Sequence, residues 1–105
     1  MCTKYYEMYD GNNSIGEISW SGNEIRIVQV NRQYRGKGYG GLLLKHAEED
    51  IKKKYNCVHL LAYPFDHSIS QSELLKFYSK NGYKPFSFFM RWRYWIRYNR
   101  LVKYF

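Results

Sequence analysis

The sequence predicts a single α+β domain, with a mixed sheet built from an antiparallel meander and then strand, helix, strand, helix and strand. The first third holds short β-branched and aromatic segments separated by Gly and Asn turns, which is the pattern of consecutive hairpins. Two later segments place apolar residues at helical spacing. A chain of 105 residues has room for one core, so residues 1–105 are expected to form one domain.

The meander is predicted from three segments in the first 30 residues. Residues 4–10 are rich in aromatic side chains and end in an Asp-Gly-Asn-Asn turn cluster. Residues 14–20 alternate apolar and polar side chains and stop at Ser-Gly-Asn. Residues 24–30 are rich in Ile and Val, which favour strands. The tight polar turns between these segments indicate antiparallel neighbours.

The first helix is predicted to run roughly from Gly41 to Lys54. On its polar face we expect two ion pairs at i,i+4 spacing, Glu48 with Lys52 and Glu49 with Lys53. The basic run at its end is therefore interpreted as a solvated helix end. The apolar face is expected to hold Leu43, Ala47 and Ile51.

A buried strand and a second helix follow. Residues 57–62 form a short apolar strand signal. Ser70 and Glu73 have the spacing of a capping box, which predicts the start of a helix. Gly82 is the residue type expected just after the end of that helix.

Charge and targeting features narrow the functional class. Seventeen Lys and Arg against nine Asp and Glu give a formal charge of +8, which favours anionic ligands. The apolar runs are too short to span a membrane, and the amino terminus has no secretory h-region. Cys2 and Cys57 make no disulfide framework. We expect an intracellular, cytoplasmic protein.

The stretch YRGKGYGG, residues 34–41, lies between a strand and a helix, where main-chain N–H groups and the helix dipole favour phosphate. A P-loop is excluded, because no Gly-Lys pair is followed by Ser or Thr. A dinucleotide fingerprint needs an acid about 20 residues further on. Residues 61–64 read Leu-Ala-Tyr-Pro, so that acid is absent.

Two blocks of sequence resemble the GCN5-related N-acetyltransferase (GNAT) family. After the strand ending in Val28-Gln29-Val30, the run from Arg35 to Leu44 resembles the family signature Q/R-x-x-G-x-G/A followed by leucines. Residues 74–83 resemble the later block A-I-x-L-Y-x-K-x-G-F. The resemblance covers roughly residues 5–92. The family's first strand and two helices are largely missing, so we expect the amino-terminal helices to be reduced or absent.

The resemblance implies that acetyl-CoA is the co-substrate. Main-chain groups of Val28 and Val30 would pair with the pantetheine arm, and one N–H would polarise the thioester carbonyl. Gln71 stands where the family has an Asn that binds coenzyme A. The implied cofactor-binding residues are Val28, Val30, Arg35, Gly36, Lys37, Gly38, Tyr39, Gly40, Gly41, Gln71 and Tyr78.

The resemblance also implies the catalytic residues. Tyr78 matches the family tyrosine that donates a proton to the departing thiolate, and Glu24 matches the glutamate that takes the proton of the amine. Asp66, His67 and water are alternatives for the base. No metal and no covalent intermediate is expected. His46 and His59 have no evident partner and are interpreted as structural, and Cys57 is interpreted as a buried thiol.

In the tail, residues 86–105, the positions from Phe86 to Ile96 in steps of two carry Phe, Phe, Met, Trp, Tyr and Ile and alternate with Ser, Phe, Arg, Arg, Trp and Arg, which predicts a last strand. A helix from Trp92 onward, with Arg93, Arg97 and Arg100 on one face, fits nearly as well. We expect this tail to fill the core and to form the contact of a homodimer. Nucleic-acid binding through Arg and aromatic side chains stays open but is not favoured. The predicted function is transfer of acetyl from acetyl-CoA to a primary amine. The alternative is a non-catalytic module that binds coenzyme A or nucleic acid.

Overall fold

The computed structural model describes residues 3–62, 69–85 and 100–105. Contacts along the chain group it into two compact units, Met1–Val58 and His59–Phe105. The first unit holds the meander and the first helix, and the second holds the second helix and the last strands. That residues 1–105 act as a single domain stays a prediction.

The first unit contains the predicted meander. Strands β1 (Lys4–Asp10), β2 (Asn13–Ser21) and β3 (Glu24–Val30) lie in this order and pair antiparallel. The two turns each contain a glycine in the left-handed region, with φ of 62° at Gly11 and 60° at Gly22. Other residues adopt this conformation at a cost, so these glycines allow two-residue turns. The predicted meander is confirmed.

Gly16 marks a close approach between β2 and β3. It pairs with Val30, and a Cβ built on Gly16 would lie 2.4 Å from the carbonyl oxygen of Gln29. No real Cβ contact is that short. Glycine therefore allows β2 and β3 to pair at the end of β3 from which the following loop departs.

Helix α1 (Tyr39–Ile51) packs against β2 and β3. It begins two residues earlier and ends three residues earlier than predicted, because Gly38 caps its start and a turn follows Ile51. The helix buries one face at helical spacing, as the sequence indicates. Its buried residues are Leu43, Leu44, Ala47, Glu48 and Ile51.

The ion pairs predicted on α1 are wrong in detail. Glu48 is buried, with 6% of its surface exposed, so it does not lie on the solvated face. Lys52 Nζ instead contacts Glu49 Oε1 at 2.8 Å, an i,i+3 pair. Residue 48 follows Ala47 directly, so the helix buries a wider arc than the apolar residues alone indicate.

Polar and aromatic contacts tie α1 to the meander. Asp50 accepts hydrogen bonds from Lys4 Nζ at 2.7 Å and from Trp20 Nε1 at 2.9 Å. These two donors, Lys4 first, hold the pKa of Asp50 below its usual value. The His46 ring stacks on Tyr6 with centroids 3.8 Å apart. His46 thus has an aromatic partner that the sequence did not reveal.

The second unit holds the end of β4 (Cys57–Leu61), helix α2 (Gln71–Lys80), β5 (Lys84–Pro85) and β6 (Arg100–Tyr104). Here the strand order is β4-β6-β5, and β5 pairs antiparallel with β6. The predicted α+β class is confirmed. The alternative of a helical tail is wrong for residues 100–104, and residues 86–99 lie outside the described residues. Neither described helix is long and apolar enough to span a membrane.

Both predicted caps of α2 are present. Ser70 is the N-cap, and its hydroxyl accepts a hydrogen bond from the Glu73 main-chain N–H at 3.1 Å. Such a cap contributes about 1 kcal/mol. Gly82 follows the C-cap with a φ of 96°, as expected for a glycine that ends a helix.

The core of the second unit gathers residues from β4, α2 and β6. His59 on β4 also lies against Arg100 on β6, with 2.7 Å between Nδ1 and Nη1. An arginine can only donate, so Nδ1 of His59 accepts here, and the expectation that His59 has no partner is corrected. The buried apolar residues of this unit are Leu60, Ala62, Tyr78, Tyr83, Leu101 and Val102.

Candidate functional site

The end of β3 directs main-chain polar groups to the edge opposite β2. The N–H of Asn31 donates to the carbonyl of Ile15 at 2.8 Å, which makes residues 15 and 31 a hydrogen-bonded pair. Such pairs alternate along an antiparallel ladder, so Val28 and Val30 occupy the other positions. Their N–H and C=O groups therefore point away from β2. This is the edge where pantetheine pairing is predicted.

The side chain of Arg35 closes the loop that follows β3. After a 3₁₀ turn at Arg32–Tyr34, the Nε of Arg35 donates to the Val30 carbonyl at 2.8 Å. The main-chain N–H of Arg35 also bonds to the carbonyl of Arg32 at 3.3 Å. Arg35 thus folds the loop back on the strand, and it uses one of the main-chain groups that Val30 directs to this edge.

Two glycines shape the loop through their backbone conformation. Gly36 has a φ of 77° and Gly38 a φ of 91°, a region that favours glycine. A Cβ on either residue would meet no atom of residues 3–62, 69–85 and 100–105 within 4 Å, apart from its own chain neighbours. This part of the chain therefore leaves space at both residues, and a ligand can approach the backbone closely.

The start of α1 presents main-chain donors. Gly38 is the N-cap without a side-chain hydrogen bond, and the first helical bond runs from Leu42 N–H to the Gly38 carbonyl at 3.3 Å. The N–H groups of residues 39–41 precede that bond and so have no acceptor within the helix. The first turn contains no acidic residue. Both features favour an anion here.

Charge along this segment has one sign. Between Glu24 and Glu48 the sequence has no acidic residue. A phosphate at the α1 start would therefore meet cations, and no carboxylate, from this segment of the chain. The basic residues between those two glutamates are Arg26, Arg32, Arg35, Lys37 and Lys45.

Aromatic contacts support the loop. Lys37 Nζ lies 6.0 Å from the ring centroid of Tyr34, and the rings of Tyr34 and Tyr39 meet edge to face at 6.1 Å. The Tyr34 hydroxyl lies 3.4 Å from Asp10 Oδ2. Tyr34 therefore links the loop to the end of β1.

Gln71 and Tyr78 both lie on α2, in the second unit. Gln71 Nε2 donates to the carbonyl of Ala62 at 2.8 Å, which ties the start of α2 to the segment after β4. Tyr78 is buried, and its ring centroid lies 5.1 Å from that of Phe77 and 5.8 Å from that of Tyr83. Burial raises the pKa of Tyr78 to about 12. Within residues 3–62, 69–85 and 100–105, its hydroxyl has no hydrogen-bond partner.

Glu24 is the first residue of β3, at the opposite end of the strand from the glycine loop. Its Oε1 lies 3.1 Å from Arg26 Nε, and a quarter of the side chain is exposed. Asp66 and His67, the alternatives for the base, lie outside the described residues. In the described part of the chain, no three His, Cys, Asp or Glu side chains are grouped as a metal site would require.

The structure brings Val28, Val30 and the whole run 35–41 together in the first unit, with Glu24 at the far end of the same strand. A family model described as "Acetyltransferase (GNAT) domain" matches residues 3–85. The chain belongs to the GNAT family. The resemblance carried by the two sequence blocks is thereby confirmed, and the family is one of acetyltransferases.

Solved structures show the same GNAT fold. A GCN5-related N-acetyltransferase structure from Rhodopseudomonas palustris matches 98% of this chain and 62% of its own, with 15% identity and a TM-score of 0.74. A putative streptothricin acetyltransferase from Bacillus anthracis, solved with acetyl coenzyme A, matches 96% and 61%, with 21% identity and a TM-score of 0.73. The anti-CRISPR protein AcrVA5 matches 93% and 96%, with 24% identity and a TM-score of 0.62.

This GNAT chain therefore spans about three fifths of the length of two of these proteins and nearly all of the third. At such identities the likeness shows the fold alone. Comparison with curated protein sequences gives no match.

Two features of the GNAT site were missed by sequence reasoning. The bond from Arg35 Nε to the Val30 carbonyl has no sequence signal, since any Arg-containing loop could leave that side chain in solvent. The contact of Tyr83 with Tyr78 does have a sequence signal, because a hydrophobic residue directly after a helix-ending glycine commonly packs against the last turn of the helix.

Proposed function

We propose that this GNAT chain transfers an acetyl group from acetyl-CoA to a primary amine by direct attack. The observation that carries the proposal is the junction of β3 with α1. There a strand whose main-chain groups at Val28 and Val30 point away from β2 runs directly into a glycine loop and an uncapped helix start. An extended ligand that ends in a pyrophosphate matches both parts.

The pyrophosphate is assigned to the loop and the start of α1. Gly36 and Gly38 leave space above the backbone, and the N–H groups of residues 39–41 supply donors. Arg35 would contribute by holding the loop against the end of β3, and Lys37 would attract the pyrophosphate through its positive charge. Gln71, whose amide nitrogen bonds to Ala62, would offer its carbonyl oxygen to the cofactor.

The pantetheine arm is assigned to the side of β3 opposite β2, where it would hydrogen-bond to the main chain at the end of the strand as a peptide does. Arg35 occupies the Val30 carbonyl, so the pairing is expected to use the N–H of Val30 and both main-chain groups of Val28. A main-chain N–H on this edge would also polarise the thioester carbonyl, where negative charge develops during attack.

The reaction needs a base and an acid. The amine lone pair attacks the thioester carbon, the C–S bond breaks, the amine loses a proton and the thiolate gains one. Glu24 is proposed as the base. β3 rises about 3.3 Å per residue, so Glu24 lies roughly 20 Å along the strand from Val30. The acetyl group sits at the other end of coenzyme A from the pyrophosphate, which suits a base at the start of the strand.

Tyr78 is proposed as the proton donor to the thiolate. With its pKa raised to about 12, its hydroxyl is protonated at neutral pH. An ordinary thiol has a pKa of about 8.5, so Tyr78 is the weaker acid. Its hydroxyl would therefore donate a hydrogen bond to sulfur as negative charge develops, the proton would pass along this bond to the thiolate, and water would return a proton to Tyr78.

A non-catalytic module that binds coenzyme A is the second candidate. The ion pair of Glu24 with Arg26 favours it, because it engages one oxygen of the carboxylate that turnover would need to accept the proton of the amine. Binding requires only the loop and the β3 edge, whereas turnover requires Glu24 or another base as well.

The experiment combines binding with turnover. Calorimetry with acetyl-CoA is run on the natural chain, on Gly38→Glu and on the matched control Gly11→Glu. Both glycines have positive φ and open surroundings, so both variants carry the same added charge and similar strain. We expect Gly38→Glu to abolish binding and Gly11→Glu to keep it. If a folded Gly38→Glu variant binds acetyl-CoA as tightly as the natural chain does, the assignment of the pyrophosphate to this loop is wrong.

Turnover is followed as label transfer from acetyl-labelled acetyl-CoA to a lysine-containing peptide, a polyamine and a free amino acid. Mass spectrometry of each acceptor identifies an N-acetyl product. Acetylation of one or more of these acceptors supports the proposal that the chain is an N-acetyltransferase. Tight binding without any product, in a cell extract as well as in this panel, would favour the binding module.

A further inference from the structure

Helix α2 ends in a Schellman motif. The N–H of Gly82 donates to the Ser79 carbonyl at 3.1 Å, and the N–H of Tyr83 donates to the Tyr78 carbonyl at 3.0 Å. Gly82 has the left-handed conformation that this motif requires. The main chain of Tyr83 is therefore bonded directly to that of Tyr78.

The same motif brings the two rings together. The ring centroids of Tyr78 and Tyr83 are 5.8 Å apart, and the ring planes meet at 68°, an edge-to-face contact. Tyr78 is 6% exposed and Tyr83 2%. One side of the Tyr78 ring is thus covered by the Tyr83 ring, which is itself fully buried.

Tyr83 is held in place by the last strands. Lys103 Nζ of β6 lies over the Tyr83 ring at 5.8 Å from its centroid. Lys84, the next residue, pairs with Val102. A Cβ on Gly82 would lie 3.2 Å from Lys103 Cε, so the turn also fits closely against β6. The Tyr83 ring therefore has little room to move.

We propose that Tyr83 is a positioning residue that holds the Tyr78 ring and so aims its hydroxyl. The proposal rests on the proposed role of Tyr78 as proton donor. Tyr83 fixes Tyr78 at two points, through the main-chain bond and through the ring contact. A small displacement of a reacting group is costly, since about 1 Å can cost on the order of 10²-fold in rate. The helix-ending turn would thereby contribute to turnover.

The test is a double-mutant cycle on the full chain. Turnover of acetyl-CoA with the best acceptor of the panel is measured for Tyr78→Phe, Tyr83→Leu and the double variant. Tyr78→Phe is expected to lower kcat by roughly 10²-fold. Tyr83→Leu is expected to lower kcat about tenfold with an unchanged KM for acetyl-CoA, and to have no further effect in the Tyr78→Phe background. Tyr83→Phe, which keeps the ring, should restore kcat.

A second measurement needs no acceptor. In a chain with ¹³C-labelled tyrosine, the Tyr78 signal is assigned by its loss in Tyr78→Phe and followed against pH. Tyr83→Leu admits water to the ring, so the pKa of Tyr78 is expected to fall from about 12 toward 10, while Tyr83→Phe leaves it unchanged. Tyr83→Met keeps apolar volume without a rigid ring, and it replaces Tyr83→Leu if that variant does not fold.

The outcomes separate the two proposals. If Tyr78→Phe leaves kcat unchanged, the proton-donor role fails, and the titration alone decides whether Tyr83 shields Tyr78. If Tyr78→Phe is slow and Tyr83→Leu is as fast as the natural chain, the positioning role is overturned. Equal losses for Tyr83→Leu with and without Tyr78 would overturn it as well, because Tyr83 would then act on general stability.

Discussion

Glu24 and Tyr78, the two residues proposed for proton transfer, lie in opposite surroundings. Tyr78 is buried among aromatic rings, and burial keeps its hydroxyl protonated. Glu24 is partly exposed and ion-paired with Arg26 at 3.1 Å. An amine acceptor with a pKa of about 10.4 is neutral only on the order of one part in a thousand at pH 7. The base is therefore most needed at neutral pH.

Replacement of Glu24 by Gln should show this pH dependence. We expect Glu24→Gln to slow turnover most near pH 7 and least at high pH, where the amine has already lost its proton. The measurement is kcat/KM against pH. Glu49→Gln is the matched control, because it also removes a surface ion pair and lies on the outer face of α1. An equal loss at every pH would indicate a positioning role for Glu24.

The contacts of single residues were the least predictable feature from the sequence. His46 and His59 looked unpartnered, yet one stacks on Tyr6 and the other accepts from Arg100. These partners lie 40 and 41 positions away in the sequence. Local pattern carries no information about contacts at that separation, whereas the caps of α2 were predictable because Ser70, Glu73 and Gly82 act on their own helix.

At the scale of elements, the pairing of β2 with β3 depends on Gly16. Gly16→Ala would place a Cβ 2.4 Å from the Gln29 carbonyl oxygen, and a main-chain atom has little freedom to move. We expect a loss of about 2 kcal/mol in the free energy of unfolding, the usual range for overpacking. Denaturant unfolding measures it. Gly11→Ala, at an open turn position, should cost only about 1 kcal/mol, from its left-handed backbone alone, and equal losses would contradict the close contact.

The attachment of α1 to the meander should depend on pH through Asp50. Its lowered pKa means that the folded state binds its proton less readily than the unfolded chain. The stability that the charged Asp50 carboxylate adds to the fold is thus complete above the pKa of the unfolded state, about 3.9. It is lost as pH falls through the lower pKa of the folded state. We expect Asp50→Asn to cost about 1 kcal/mol at pH 7.

The measurement compares unfolding of the natural chain and Asp50→Asn from pH 7 to pH 2. Their difference should shrink below about pH 4, because protonation removes the same charge that the substitution removes. Trp20 can still donate to the amide oxygen, so part of the contact survives in the variant. A difference that stays constant across this range would assign the loss to packing.

Element order was predictable because hairpin turns, helical spacing and caps are all local signals. The start of α1 was not. Gly38 lacks a capping side chain, and Gly40 and Gly41 are weak helix formers, so propensity places the helix start later. The loop closed by Arg35 decides the start instead. The same contact limits prediction of the candidate site, because the motif names the residues but not which main-chain groups the loop itself uses.

At the scale of the whole molecule, charge is unevenly distributed. The chain carries +8, and the segment from Arg26 to Lys45 has no acid. Glu7 and Glu17 face each other across β1 and β2, and the Tyr5 hydroxyl lies within hydrogen-bond distance of both carboxylates, at 2.9 and 2.8 Å. Anionic ligands are thus favoured at the β3–α1 junction over this part of the meander.

The tail, residues 86–105, is predicted from its sequence to form a subunit contact, and its residues 86–99 lie outside the described residues. Seven of these 14 side chains are Phe, Tyr or Trp, with Arg91, Arg93 and Arg97 among them. That is more aromatic surface than one strand of a small chain can bury, and such surface commonly forms an interface. We therefore expect a homodimer that uses this segment.

Light scattering should give twice the chain mass for the natural protein and a lower mass for the variant Trp92→Ser, Trp95→Ser. Truncation after Tyr83 is unsuitable, because it would remove Leu101 and Val102, which are buried in β6. Lys52→Ser, Lys53→Ser is the control, since it also changes two positions and both lysines are exposed in the turn after α1. A natural chain that is monomeric while it turns over acetyl-CoA would contradict the dimer. Binding of nucleic acid that weakens steeply with salt would instead assign the arginines of this segment to phosphate contacts, because each such contact releases a counterion.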